Sequence, residues 1–126
     1  MRMLKRAKRP DPKMGRRECE VDAELAAEMA GQAAALASEW AHQAGLGEDD
    51  AAEAVSAAAR ARLAAERATS APTDEEARLE TASAWAATES ALEADQRVVA
   101  AIVSAIGSGD TARRERVPGS EGAPAS

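Results

Sequence analysis

The chain has very few of the side chains that usually fill a protein interior. Its 126 residues include no phenylalanine, no tyrosine and two tryptophans, and leucine, isoleucine and valine together number fifteen. So few large apolar residues are typical of disorder unless another residue type restores order. Alanine does so here, with 35 copies, because it has the highest helix propensity. We therefore expect a helical protein with a thin core, marginally stable alone or stabilised by self-association.

Reactive side chains are equally scarce. One histidine and one cysteine leave few base–nucleophile pairs, and the sequence has no G-x-S-x-G motif and no phosphate-binding glycine loop after a strand. The sole cysteine, Cys19, lies between Glu18 and Glu20 and is expected to be a small side chain at a helix start rather than a nucleophile. We therefore expect no enzymatic activity and no cofactor.

Long apolar runs are also missing. No segment approaches the ~20 apolar residues of a membrane-spanning helix, and the basic start is not followed by the apolar stretch of a secretory signal. A single cysteine excludes an internal disulfide, which suits a reducing compartment. The expected location is the cytoplasm, and membrane binding is disfavoured.

Positive charge is concentrated at one end of the chain. Residues 1–17 hold eight basic residues and one acid, whereas residues 18–107 hold five arginines and eighteen acids. Pro10 and Pro12 prevent a continuous helix through the first segment, which predicts a disordered basic arm over 1–17. Lysine occurs only at positions 5, 8 and 13, and this arginine bias indicates a GC-rich bacterium or its mobile elements as the source.

The basic arm has several interpretations. Phosphate contacts with DNA or RNA are one, because such cations neutralise phosphates, although the arm lacks aromatic residues for base stacking. Contact with the acidic body of the same or a neighbouring chain is another, a solvated tail is a third, and Met14 is a plausible alternative start. The candidate nucleic-acid-binding residues are Arg2, Lys5, Arg6, Lys8, Arg9, Lys13, Arg16 and Arg17.

Helical spacing and end signals predict three helices, over 18–44, 48–68 and 74–106. Gly45 is placed to end the first helix in a left-handed conformation, and Thr73 is placed to cap the third. Gly107 is expected to end the third, leaving 108–126 as a disordered tail. The fold class is all-α: a helical hairpin plus a longer third helix, with the option of a dimeric bundle. The apolar residues of the first predicted helix recur on one face at Val21, Leu25, Met29, Leu36 and Trp40.

The third predicted helix has the richest apolar face. Its residues Trp85, Leu92, Val99 and Ile106 are spaced by sevens, as in a coiled-coil seam, and Ile102 widens the stripe. Thr88, Asp95 and Gln96 interrupt this pattern. Two interpretations stay open for these residues: the core of the same chain, where the two tryptophans would meet, or a self-association surface.

One possible metal ligand pair is present. Glu39 and His42 are three residues apart on one helical face, the spacing that di-iron bundles use twice together with further carboxylates. A symmetric dimer would supply the second copy. The alternative is a partly exposed histidine near a helix C-terminus, where a cation is favourable.

The sequence therefore favours a non-enzymatic helical interaction protein that binds a second copy or another protein. A nucleic-acid-binding accessory protein using residues 1–17 and a dimeric metal–carboxylate protein are the alternatives.

Overall fold

A computed structural model describes the backbone of residues 15–116 and the side chains of residues 15–107. The described chain is all-helical, as predicted, with three helices. They are α1 (Arg16–Ala44), α2 (Glu48–Ser70) and α3 (Asp74–Arg116). None of these helices is long and apolar enough to cross a membrane, in the part of the chain that the structure describes.

Local signals in the sequence explain where the helices begin and end. The amide of Gly15 donates to Glu18 Oε1 at 2.7 Å, which satisfies a donor at the start of α1. Gly45 adopts the predicted left-handed conformation, with φ of 72°, and its amide donates to the Ala41 carbonyl. The predicted Thr73 cap is confirmed, because its Oγ1 accepts the Glu76 amide at 3.1 Å.

The register of the helices follows from contacts between them. Thr81 and Thr88 of α3 lie beside the carbonyls of Cys19 and Ala26 of α1, and both pairs are 62 residues apart, so α1 and α3 run parallel. The helix α2 lies between them in the sequence, runs antiparallel to both, and is joined to each by a short turn. Four layers of buried residues stack along the bundle, and three of them take side chains from all three helices.

Alanine fills the interior. Within residues 15–107, 23 apolar side chains are buried; 21 of them are alanine, and the other two are Cys19 and Val98. On α1, α2 and α3 these alanines recur at heptad positions, as in 23/30/37, 54/61/68 and 77/84/91. Small residues let helix backbones approach closely, which explains how a threonine hydroxyl of α3 lies 2.8 Å from a backbone oxygen of α1.

The apolar face predicted for the first helix does not form the core, and the larger apolar side chains of α2 also lie at the surface. On α1, Val21, Leu25 and Leu36 are 65 %, 48 % and 50 % exposed, and on α2 both Val55 and Leu63 are about half exposed. The periodicity of the largest side chains identified the wrong face, because the alanine face packs more closely and takes the interior. The two tryptophans do not meet in the core either, since Trp40 is 46 % exposed and Trp85 lies level with Asp22, near the other end of α1.

Three predicted boundaries also need correction. Arg16 and Arg17 belong to the first turn of α1, not to a disordered arm, and Arg16 Nε lies 4.0 Å from Asp74 Oδ1. The helix α2 continues two residues further, to Ser70. The helix α3 continues through Gly107 to Arg116, because that glycine takes no left-handed conformation and the residues after it include good helix formers. Residues 1–14 and 117–126 lie outside the described residues.

Candidate interaction face

A ladder of side chains follows the outer groove between α1 and α3. At its first level, Trp85 Nε1 donates to Asp22 Oδ2 at 3.0 Å. Because α1 and α3 are parallel and both keep heptad positions, steps of seven from this pair place Met29 level with Leu92, and Leu36 level with Val99. Trp40 is level with Val103 by the same offset of 63 residues. The groove between these two helices is therefore apolar over much of its length.

We define the α1/α3 face as the apolar side chains along this groove: Leu25, Met29, Leu36 and Trp40 of α1, and Trp85, Leu92, Val99, Val103 and Ile106 of α3. It lies away from α2, since α2 contacts the other flanks of both helices. Arg62 of α2 lies 3.7 Å from Glu24 of α1, and Asp50 of α2 accepts from Arg97 of α3 at 2.9 Å. On a wheel of 3.6 residues per turn, Leu36 is about 120° from Glu24.

The predicted self-association residues lie at the border between core and solvent. Trp85, Leu92 and Ile102 are partly buried, each packed against a layer of buried alanines, and Val99 is also partly buried. Ile106 is 59 % exposed. Self-association at these residues stays a prediction, and the structure adds four α1 side chains to the same surface. The parallel register that joins them has no signature in the periodicity of either helix alone.

The edges of the α1/α3 face are acidic. Between positions 25–43 of α1 and 89–106 of α3, the carboxylates are Glu28, Glu39, Glu89, Glu93 and Asp95. The basic side chains in these ranges are His42 and Arg97, and Arg97 is bound to Asp50 on the α2 side. The groove thus combines an apolar centre with negatively charged borders.

Asp95 is the one acid of this set that lies at the floor of the groove. It follows Thr81 and Thr88 at intervals of seven, which places it opposite the Ala33 carbonyl at the offset of 62 residues. Leu92 and Val99 are its neighbours at i−3 and i+4. It is partly buried, and it has no hydrogen bond or ion pair with the residues that the structure describes. Burial raises the pKa of Asp95 above the ordinary value of its carboxyl group.

Cys19 is buried in the first turn of α1 and lines the end layer with Ala71 and Ala77. Burial raises the pKa of its thiol, an effect opposed by the Thr81 hydroxyl and by Arg78. A thiol that is more weakly acidic and shielded from solvent is a poor nucleophile. This arrangement agrees with the expected packing role of Cys19.

The other sequence-predicted residues are dispersed. Glu39 and His42 are both exposed near the C-terminus of α1, where Glu39 accepts a hydrogen bond from Gln43 at 3.4 Å. Within residues 15–107 no group of three metal-ligating side chains is close enough to hold an ion. Of the candidate nucleic-acid-binding residues, Arg16 and Arg17 lie on α1, and the six at positions 2–13 are outside the described residues.

A second, more polar groove separates α2 from α3. It encloses a volume of about 490 Å³ and is lined by Arg60, Leu63, Arg67, Glu80 and several alanine and serine residues. No protein-family model matches this sequence, and no curated protein or solved structure matches it either.

Proposed function

We propose that the chain is a non-enzymatic helical interaction protein that self-associates through the α1/α3 face. The observation that supports this most directly is the inverted distribution of apolar side chains. Alanine occupies the interior, whereas five of the nine exposed large apolar side chains in the described part of the chain lie along one groove, at Leu25, Leu36, Trp40, Val103 and Ile106. The other four, Val21, Val55, Leu63 and Leu79, lie outside this face. Contiguous exposed apolar surface is typical of protein–protein interaction sites.

The charge pattern supports the same function. Along the centre of the face, from Leu25 to Gln43, the intervening polar residues that point the same way are glutamines, Gln32 and Gln43. On the α1 half of the face, charge is therefore depleted at the centre and present at the rim, which is the compositional mark of an interface; on the α3 half, Asp95 at the floor of the groove is the exception. Two aromatic residues, Trp40 and Trp85, border it, and tryptophan is enriched among the residues that contribute most to binding.

The dimensions of the face suit a second copy. Positions 85–106 of α3 extend over roughly 32 Å at 1.5 Å per residue, and two adjacent helices are about 20 Å wide. That footprint approaches the ~800 Å² per partner that stable complexes bury. Covering this face would also remove from water the apolar surface that the alanine interior leaves outside.

Light scattering across a protein concentration series tests the proposal. Wild-type protein should show a mass above that of one chain, and Leu36→Asp or Val99→Asp should lower it to one chain, because each places a charge at the centre of the face. The matched control is Leu63→Asp on α2, since Leu36 and Leu63 are 50 % and 45 % exposed. A wild type that stays monomeric at the highest concentration both at low salt and at ~1 M salt, which screens the acids at the edges of the face, or an equal effect of the control, would refute self-association through this face.

A further inference from the structure

The α1/α3 face has the chemistry of a site for a cationic segment. Its apolar centre is bordered by Glu28, Glu39, Glu89 and Glu93, and its floor holds the carboxyl group of Asp95, which has no partner within residues 15–107. A second copy docked here covers the apolar centre but brings the same acids near each other, which weakens self-association without preventing it. A segment with basic side chains around a few apolar ones is complementary at both the centre and the border.

The chain contains such a segment beside this face. Residues 1–9, MRMLKRAKR, hold five basic residues, no acid, and the apolar side chains Met1, Met3 and Leu4. The described helix α1 begins next to Gly15, and Asp95 lies level with Ala33, about 27 Å further along α1 at 1.5 Å per residue. Ten extended residues span about 33 Å, so Lys5 and Arg6 can reach the level of Asp95 in the same chain.

We propose that residues 1–9 dock on the α1/α3 face of their own chain, with basic side chains on Asp95 and the bordering glutamates, and thereby compete with a second copy. The competition rests on the proposed self-association, but the docking does not. Attachment to the same chain holds the segment at a high effective concentration near the face. Because the contacts are largely ionic at an exposed groove, added salt releases the segment.

Paramagnetic broadening in the full-length chain tests the docking. A spin label is attached at Ala7→Cys, and the native Cys19, which is fully buried, is protected from labelling. The indole N–H signals of Trp40 and Trp85 are the two tryptophan reporters, and Trp40 lies at the far end of the face from Gly15. We expect the Trp40 signal to lose most of its intensity at low salt and to recover it at ~1 M salt.

Two controls make the result specific. A label at Ala59→Cys, on the exposed surface of α2, should leave Trp40 unaffected. The combined variant Asp95→Asn, Glu39→Gln, Glu89→Gln should restore the Trp40 signal in the Ala7-labelled chain. An unaffected Trp40 signal in that chain at low salt would overturn the proposal. So would broadening that appears only when labelled chains are mixed with unlabelled isotopic chains, since the segment would then dock on another copy.

Light scattering tests the competition separately. Reversing Lys5, Arg6, Lys8 and Arg9 to glutamate should tighten self-association roughly a hundredfold if the segment covers about nine faces in ten, because both copies must expose the face to associate. The variant Lys13→Glu, Arg17→Glu reverses charge outside the docking segment and should leave self-association closer to wild type. If both the wild type and the reversed variant are monomeric, self-association is wrong while the label experiment still decides the docking. A reversed variant that associates no more tightly than wild type overturns the competition.

Discussion

Thr81, Thr88 and Asp95 occupy the same heptad position of α3 and face α1 at successive levels. The two threonines each place a hydroxyl near an α1 carbonyl, at 3.2 Å from Cys19 and 2.8 Å from Ala26, and near a carbonyl of α3 itself. A hydroxyl in that place donates its proton, whereas an ionised carboxylate only accepts. Asp95 therefore lacks the bond that its two predecessors make, and its charge is partly desolvated.

Replacing Asp95 by threonine should stabilise the protein at neutral pH. The hydroxyl would extend the series to the Ala33 carbonyl and remove a desolvated charge, raising the free energy of unfolding by about 1 kcal/mol. Chemical denaturation at pH 7 measures this difference. Glu93→Gln removes the same charge at an exposed position of α3 and should change the free energy of unfolding much less.

The benefit of Asp95→Thr depends on pH in a defined direction. Because the folded-state pKa of Asp95 is raised, the wild type binds this proton more tightly when folded, and its own stability improves as pH falls through that pKa. The difference in the free energy of unfolding between Asp95→Thr and wild type should therefore become smaller toward pH 4. Burial alone raises this pKa, with no contribution from a neighbouring charge, and the nearest cation on α3, Arg97, is bound to Asp50. A gap that widens on acidification would contradict this assignment.

At the scale of helices, sequence patterns predicted where each helix begins and ends better than which face of the helix packs inside. Gly45 and Thr73 marked real ends because backbone conformation and capping are local properties. The packed face was misread on α1 because Leu25 and Leu36 dominate any apolar periodicity, whereas the alanines that pack inside differ little from the alanines outside. Their heptad recurrence was visible in the sequence, but which alanine stripe packs depends on all three helices at once.

The residues of the candidate site also divide into those that the pattern of one helix predicts and those that only the packing of two helices reveals. Trp85, Leu92 and Val99 were found from their spacing of seven, because one helix carries all of them. Leu36 and Trp40 joined the same surface only once the parallel register of α1 and α3 was known. That register depends on tertiary contacts and leaves no signal within either segment.

Glycine-to-alanine substitutions should have opposite effects within helices and at the α1–α2 turn. Gly31 lies inside α1 with open space around its Cα, so Gly31→Ala should stabilise the protein by roughly 0.5–1 kcal/mol through helix propensity. Gly47 has φ of 79°, and an added Cβ would lie 3.4 Å from Val98 Cγ1, so Gly47→Ala should destabilise it by at least ~1 kcal/mol.

Thermal unfolding of the two variants beside wild type measures both signs. Two effects contribute to the cost of Gly47→Ala: the strain of a positive φ and the contact of the added Cβ with Val98. Gly45→Ala separates them, because Gly45 has a φ of 72° but no atom lies within 4 Å of its added Cβ. It should cost less than Gly47→Ala. Equal melting temperatures for Gly45→Ala and Gly47→Ala would show that contact with Val98 contributes nothing.

At the scale of the whole molecule, an alanine interior limits the stability of one chain. Each alanine removes little apolar area from water, at roughly 25 cal/mol per Å², while fixing the backbone costs as much as in any protein. Much of the larger apolar surface stays outside, at Leu25, Leu36, Trp40 and Val103. A second copy that covered this surface, as proposed, would add stability that the single chain lacks.

Stability should therefore depend on protein concentration. If folded chains associate through the α1/α3 face, mass action favours the folded state, and the melting temperature should rise by about 3 °C for each tenfold increase in concentration. Differential scanning fluorimetry over two decades of concentration checks this. Leu36→Asp should abolish the dependence while matching the wild-type melting temperature at the lowest concentration, because residue 36 is half exposed in the single chain. If Leu36→Asp instead lowers the melting temperature equally at every concentration, this side chain stabilises the fold of one chain and not its association.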